Sequence, residues 1–242
     1  MKTIILAGGM GTRLSSVVTD VPKPMAPVGG KPFLEYVILS LAAQGLKEII
    51  LSVGYKKETI QSYFEDGSRW KVKIVYSEED APLGTGGALR EALKIADETN
   101  CLILNGDTFN SLNFQDMVDF HTSRDSLMTI ALAYKRNVQR YGSVKTNDSG
   151  EITGFLEKNE HGSGYINRGA YVASGVILAH MPVGPFSLEN DLFHKLIGLG
   201  FFGFITHGLF TDIGIPSTYS YINDHAYVLE QTERVPAAIE MQ

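Results

Sequence analysis

Two glycine turns, two cations and two aspartates in this chain have the residue types that phosphate chemistry needs. The stretch Leu6-Ala7-Gly8-Gly9-Met10-Gly11-Thr12-Arg13-Leu14 follows a short apolar run, Thr3 to Leu6. An apolar run that ends in glycines predicts a buried strand opening into a loop. Without a Cβ, glycine lets the backbone approach a ligand closely, and its N–H groups can point at phosphate oxygens. Arg13 adds a permanent charge on a planar fork of donors. Lys23 adds a second charge within Val21-Pro22-Lys23-Pro24, where prolines stiffen both sides. The expected ligand is a nucleoside triphosphate at the carboxyl end of the first strand.

Two other phosphate loops fail on spacing. A P-loop needs G-x-x-x-x-G-K-[ST], and no lysine follows these glycines. A dinucleotide fingerprint needs G-x-G-x-x-G, but Gly9-Met10-Gly11-Thr12-Arg13-Leu14 ends on leucine. It also needs an acid closing the second strand, which here ends Val53-Gly54-Tyr55.

Asn105-Gly106-Asp107 follows another apolar run, and Phe210-Thr211-Asp212-Ile213-Gly214 offers a second acid at a strand end. Either aspartate alone reads as a turn former or a helix cap. Beside an arginine and lysine loop, the pair reads as a Mg²⁺ site, because magnesium takes hard oxygens from one or two carboxylates plus substrate phosphates. The six histidines fall in no ligand spacing, which argues against zinc. No G-x-S-x-G nucleophile motif is present, so direct displacement is the expected chemistry.

The elements that must position these groups alternate. Strands are expected at 3–6, 49–53, 72–76 and 101–104, and helices at 33–42, 57–64 and 88–96, with Gly45 as a C-cap. That order predicts an α/β fold with a Rossmann-like, mainly parallel mixed sheet and helices on both faces. Ligands should then collect outside the carboxyl ends of the strands. Short segments at 127–134, 143–145, 152–156 and 170–173 predict a small antiparallel insertion or mixed edge. A helix over 188–196, a strand over 201–205 and a helix from Pro216 towards Leu229 complete the chain. The Phe201-Phe202-Gly203-Phe204 run suits a dimer interface or a buried strand equally well, so oligomeric state stays open. Residues 1–230 are expected to form one domain and 231–242 a polar tail.

Composition narrows the partners. The chain has 242 residues, 44% hydrophobic and 20% charged, as in an ordinary globular protein. A net charge of -6 gives nucleic acid or an anionic membrane no electrostatic support. One cysteine, Cys101, excludes an internal disulfide. No stretch of about 20 apolar residues is present, and the expected location is the cytoplasm.

Leu6-Ala7-Gly8-Gly9-x-Gly11-Thr12-Arg13-Leu14 with Pro22-Lys23-Pro24-Met25 resembles the signature of the sugar-1-phosphate nucleotidyltransferases. The resemblance runs from Met1 to about Leu229. Ser15-Ser16-Val17-Val18, Pro24-Met25-Ala26-Pro27 and Lys31-Pro32-Phe33-Leu34-Glu35 are similar to the D-glycero-α-D-manno-heptose 1-phosphate guanylyltransferases within it. The resemblance implies the nucleotide-diphospho-sugar transferase fold, with transfer of a nucleotidyl group from a triphosphate to a sugar 1-phosphate. It makes Asp107 and Asp212 the metal-holding positions and Arg13, Lys23 and Asp107 the catalytic ones. It assigns Gly84-Thr85, in Leu83-Gly84-Thr85-Gly86-Gly87, to the base and ribose; the plain alternative is a helix start capped by Thr85. Glu78 and Glu79, just before, would suit guanine, which presents N1–H and N2–H₂ donors, although solvated acids are the ordinary reading. Gly106, Gly142, Glu157, Lys158, Asn167 and Gly169 fall on the sugar-phosphate side. Arg168, where the family more often has glycine, is expected on the surface rather than as a sugar-specific contact. Uridylyl or thymidylyl transfer to N-acetylmuramate 1-phosphate or a hexose 1-phosphate, and a nucleotide-binding regulatory subunit, are the competing readings.

Overall fold

The computed structural model describes residues 1–14, 16–156 and 162–232. Strand β1 (Thr3–Leu6) is followed by a 3₁₀ turn, Lys23–Met25, and a small hairpin, β2 (Pro27–Val28) and β3 (Lys31–Pro32). Next come α1 (Phe33–Ala43), β4 (Glu48–Val53), α2 (Lys57–Phe64), β5 (Lys73–Glu78), α3 (Gly84–Ala96) and β6 (Asn100–Asn105). Then follow β7 (Thr108–Asn110), α4 (Phe114–Ser123), β8 (Met128–Lys135), β9 (Ser143–Thr146), β10 (Ile152–Leu156) and β11 (Gly164–Ser174). The last elements are α5 (Phe193–Leu196), β12 (Phe201–Ile205), β13 (Phe210–Asp212), α6 (Pro216–Asp224) and α7 (Tyr227–Thr232).

One sheet runs β10-β9-β11-β6-β1-β4-β5, and β8 pairs with β11 and β12. β1 lies parallel between β4 and β6, so the first loop opens at the sheet's centre. β11 is antiparallel to β6, and the β9–β10 hairpin extends the same sheet. The antiparallel segments are therefore its mixed edge. Side chains alternate across each strand. Ile5, Leu51 and Leu104 face one core with Phe33, Val37 and Leu41 of α1. Ile4, Ile50 and Ile103 face the other with Leu89, Ala92 and Leu93 of α3. This is the two-faced cover that alternating elements predict. Among the described residues no helix is long and apolar enough to cross a membrane.

Four expectations change in detail. The glycine turn at 84–87 is the first turn of α3 itself. The 188–196 helix is a π-helical turn, Leu188–Leu192, running into α5. The helix after Pro216 breaks between Asp224 and Tyr227. β11 begins at Gly164, well before 170, and takes in the Asn167-Arg168-Gly169 segment. Its register against β8 shifts between Asn167 and Tyr171. Such irregularities re-aim side chains near functional sites. Of the expected tail, residues from 233 onward lie outside the described residues. Cys101 is buried, and burial pushes its thiol up to about 11, as fits a structural role.

Candidate active site

The glycine loop leaves β1 at Leu6 and Ala7. Gly8 packs where no side chain fits: a Cβ there would lie 2.5 Å from Glu79 Oε1 and 3.1 Å from the Gly54 nitrogen. Gly11 has φ +63°, and a Cβ would lie 2.6 Å from the Lys23 Cβ. Two glycines of the loop thus make room for two of the predicted site residues. Arg13 and Thr12 are exposed on the same loop, as is Gly9. Lys23, Gly11, Leu14, Val18 and Tyr55 line a cleft beside it.

Lys23 forms an ion pair with Asp107, and its side chain is 9% exposed. Asp107 also accepts from Thr108 Oγ1 at 3.0 Å. Gly106 reaches back to the glycine loop, its N–H donating to the Leu6 carbonyl at 2.9 Å. A Cβ on Gly106 would meet that carbonyl oxygen at 3.0 Å. β13 pairs antiparallel with β7, setting Asp212 opposite Thr108. The strand pairing thereby brings the two predicted metal positions, distant in sequence, onto neighbouring backbone segments.

Asp212 is held on several sides. It accepts from the Gly214 N–H at 2.7 Å and from Tyr141 Oη at 3.3 Å, and it pairs with Arg140. Burial raises the Tyr141 hydroxyl above its ordinary range, and the neighbouring Asp212 charge adds to this. Sequence reasoning missed Arg140. Its place before Tyr141-Gly142 was visible, but no local pattern points to an aspartate on a distant strand. Gly142 closes this turn at φ +73°.

The acids before the second glycine turn separate. Glu78 pairs with Lys57 at 2.8 Å and Gln61 at 3.0 Å, in a surface network that lowers its carboxyl. Glu79 turns inward, accepts from the Leu83 N–H at 2.9 Å and lies against Gly8. Burial raises its carboxyl, and the Leu83 N–H opposes the shift. Only Glu79 therefore joins the two glycine turns. Thr85 is not the helix cap, a position held by Leu83. Its hydroxyl accepts from the Leu188 N–H at 2.9 Å and ties the turn to the π-helical segment. Gly84 takes φ +68° at the start of this turn.

On the other side of the site, Asn167 accepts from the Gly169 N–H at 2.8 Å and donates to Tyr171 Oη at 2.9 Å. It also reaches Glu189 Oε1 at 3.3 Å. Gly169, at φ +68°, would set a Cβ 2.7 Å from Asn105 Nδ2, two residues before Asp107. Arg168 departs from expectation: it is fully buried. Its guanidinium donates to Asn110 Oδ1 at 3.0 Å and to the carbonyls of Thr206, His207 and Leu209 at 3.3, 3.0 and 2.8 Å. Burial lowers it to about 10, so it stays charged at neutral pH. A fork of five donors can bind several carbonyls at once, which accounts for a buried arginine on this strand. Glu157 and Lys158 lie outside the described residues.

Among the described residues no cluster of three or more His, Cys, Asp or Glu side chains could hold a metal. The Asp107–Asp212 junction fits a hard cation that takes its other oxygens from substrate and water. The loop and its two cations can bind polyphosphate and offset its charge.

Comparison with known proteins gives the family. The model of the family described as "Nucleotidyl transferase" matches residues 2–184. The chain is 44% identical over 222 residues to the D-glycero-alpha-D-manno-heptose 1-phosphate guanylyltransferase of Aneurinibacillus thermoaerophilus, covering 90% of this chain and 95% of that one. The crystal structure of HddC from Yersinia pseudotuberculosis, complexed with GMP-PN, superposes with TM-score 0.83 at 36% identity, covering 93% of this chain and 99% of HddC. A putative glucose-1-phosphate thymidylyltransferase from Bacillus anthracis shares the fold, with TM-score 0.81 at 20% identity over 99% of this chain and 98% of that one. A family match over residues 2–184 and 44% identity to a relative covered over 95% of its length show that this chain belongs to the nucleotidyl transferase family.

Proposed function

We propose that the protein transfers a guanylyl group from GTP to D-glycero-α-D-manno-heptose 1-phosphate and releases pyrophosphate. The observation that supports the chemistry is the Lys23–Asp107 ion pair beside the glycine loop, with Asp212 on the strand paired to β7. The choice of substrates rests on similarity to a guanylyltransferase that the chain matches over nearly its full length.

A phosphate oxygen of the sugar 1-phosphate attacks the α-phosphorus in line. The bond from the α-phosphorus to the bridging oxygen breaks, and that oxygen leaves with pyrophosphate. Two anions must approach each other, so positioning and charge dominate the barrier. Arg13 offsets charge growing on the pyrophosphate, and Lys23 holds phosphate oxygens. Lys158, with Glu157, Gly142, Asn167 and Gly169, serves the acceptor. Glu79, held between Gly8 and the Leu83 N–H, faces the guanine edge with a carboxylate. Asp107 and Asp212 would hold Mg²⁺, which when bound supplies Lewis-acid stabilisation of phosphate oxygens.

The test is pyrophosphate release with Mg²⁺, using GTP, UTP, dTTP, ATP and CTP against heptose, mannose, glucose and N-acetylmuramate 1-phosphates. Turnover confined to GTP with the heptose supports the full reading. Turnover with UTP or dTTP discards guanine selection and the role of Glu79. Nucleotide binding with no turnover points to a regulatory subunit.

A further inference from the structure

The loop from Gly9 to Asp20 carries Arg13 and leads into Lys23, and residues following β4 fasten both its ends. At the near end, the Tyr55 N–H donates to the Gly8 carbonyl at 3.1 Å. At the far end, the Lys56 ammonium donates to the Thr19 carbonyl at 2.9 Å and the Asp20 carbonyl at 3.0 Å. The same ammonium lies 5.4 Å from the centre of the Tyr55 ring. Tyr55 in turn lines the cleft shared with Gly11, Thr19 and Lys23.

The backbone at Lys56 is uncommon for this arrangement. Lys56 stands just before α2 with φ +50°, in the left-handed region that side chains other than glycine seldom adopt. Such conformations cluster where the surroundings hold a residue for a purpose. Here the next N–H groups enter α2, with Thr59 donating to the Lys56 carbonyl at 3.1 Å. The side chain is thereby sent back across the loop. Within the loop, bonds from Leu14, Val17 and Val18 form local turns, and Leu14 is buried.

We propose that Lys56 is a positioning residue for the nucleotide site: its ammonium latches the end of the glycine loop and so sets Arg13 and Lys23 against the triphosphate. Asp20 lies three residues before Lys23, and Pro22 stiffens what lies between. A shift at Asp20 is therefore carried to the Lys23 ammonium. The inference rests on the nucleotidyl-transfer reading above.

The experiment compares full-length wild type, K56M, K56Q and K56R. Limited trypsin digestion, read by mass spectrometry at the Arg13–Leu14 bond, reports loop release without any substrate. Steady-state kinetics with GTP and heptose 1-phosphate reports the site. K56M should speed cleavage at Arg13 and raise KM for GTP, each about tenfold, since small misplacements of phosphate-binding groups are costly. KM for the sugar phosphate should stay within about twofold, and K56R should recover most of the loss. In an R13A background K56M should add less than about twofold, because the two residues act as a unit. Equal fold-changes in both backgrounds, unchanged cleavage, or faster cleavage with unchanged KM for GTP each overturn the proposal. K56Q takes the place of K56M if the latter does not fold. A wild type that turns over no triphosphate overturns the guanylyl-transfer reading, and the cleavage rates then judge the latch by themselves.

Discussion

The main-chain carbonyl of Asp107 accepts the N–H of Ile213 at 3.0 Å, immediately after Asp212. The β7–β13 pairing thus joins two aspartates that stand far apart in the chain. Lys23 engages the first, and Arg140 the second. The site is a junction of four chain segments, and each can be tested separately.

Asp107→Asn and Asp212→Asn each keep the side chain's size and remove its charge. Each is expected to lower turnover about a hundredfold, the usual effect of losing one preorganised charge at a transition state. Pyrophosphate release under saturating substrates measures this. Circular dichroism should show the fold unchanged.

Arg140→Met removes one partner from a carboxylate whose side chain is only 12% exposed. The Gly214 N–H and the Tyr141 hydroxyl remain. Because Arg140 is partly in solvent, the loss should be about 1–2 kcal/mol, below that of a fully buried pair. Urea unfolding with an unchanged m-value is the check.

Arg168→Met would strand three carbonyls and the Asn110 side chain inside the protein. A loss of about 3–5 kcal/mol is expected, because buried acceptors lose their donors. Arg168→Lys should recover little, since an ammonium lacks the planar fork. Denaturant midpoints of the two variants decide it.

Gly8→Ala sets a methyl 2.5 Å from Glu79 Oε1. The carboxylate lies at the end of a flexible side chain, but the Gly54 nitrogen at 3.1 Å is backbone, so stability should fall by about 1–2 kcal/mol. Displacing Glu79 should also raise KM for GTP more than KM for the sugar phosphate. Kinetics with each substrate varied in turn separates the two.

His121 is buried between α4 and β8, with its Nδ1 3.0 Å from Thr129 Oγ1. Burial pushes it down to about 4, from an ordinary value near 6.5. The folded protein therefore binds its proton more weakly than the unfolded chain. Its stabilisation is fully present above pH 6.5 and is lost as pH falls towards 4. The loss over that window should be roughly 3 kcal/mol, and His121→Asn should flatten the acid limb of stability against pH.

The sequence by itself determined what depends on local pattern. Apolar runs at Thr3–Leu6 and Phe201–Ile205 and the helical spacing over Lys57–Phe64 set elements whose bounds match the structure. Gly8, Gly11, Lys23 and Asp107 were legible as candidate site residues because glycine permissiveness and charge are properties of the residue itself. What tertiary structure decided depends on which residues meet. Glu78 and Glu79 are neighbours in sequence, yet at the end of β5 one turns to Lys57 at the surface and the other to Gly8. Arg168 was expected at the surface because the family more often has glycine there; four acceptors, one on β7 and three in the loop between β12 and β13, offset the cost of burying it. Arg140 and Lys56 gain their roles only when strand pairing and loop closure bring Asp212 and Asp20 to them, and no local spacing encodes a contact across the fold.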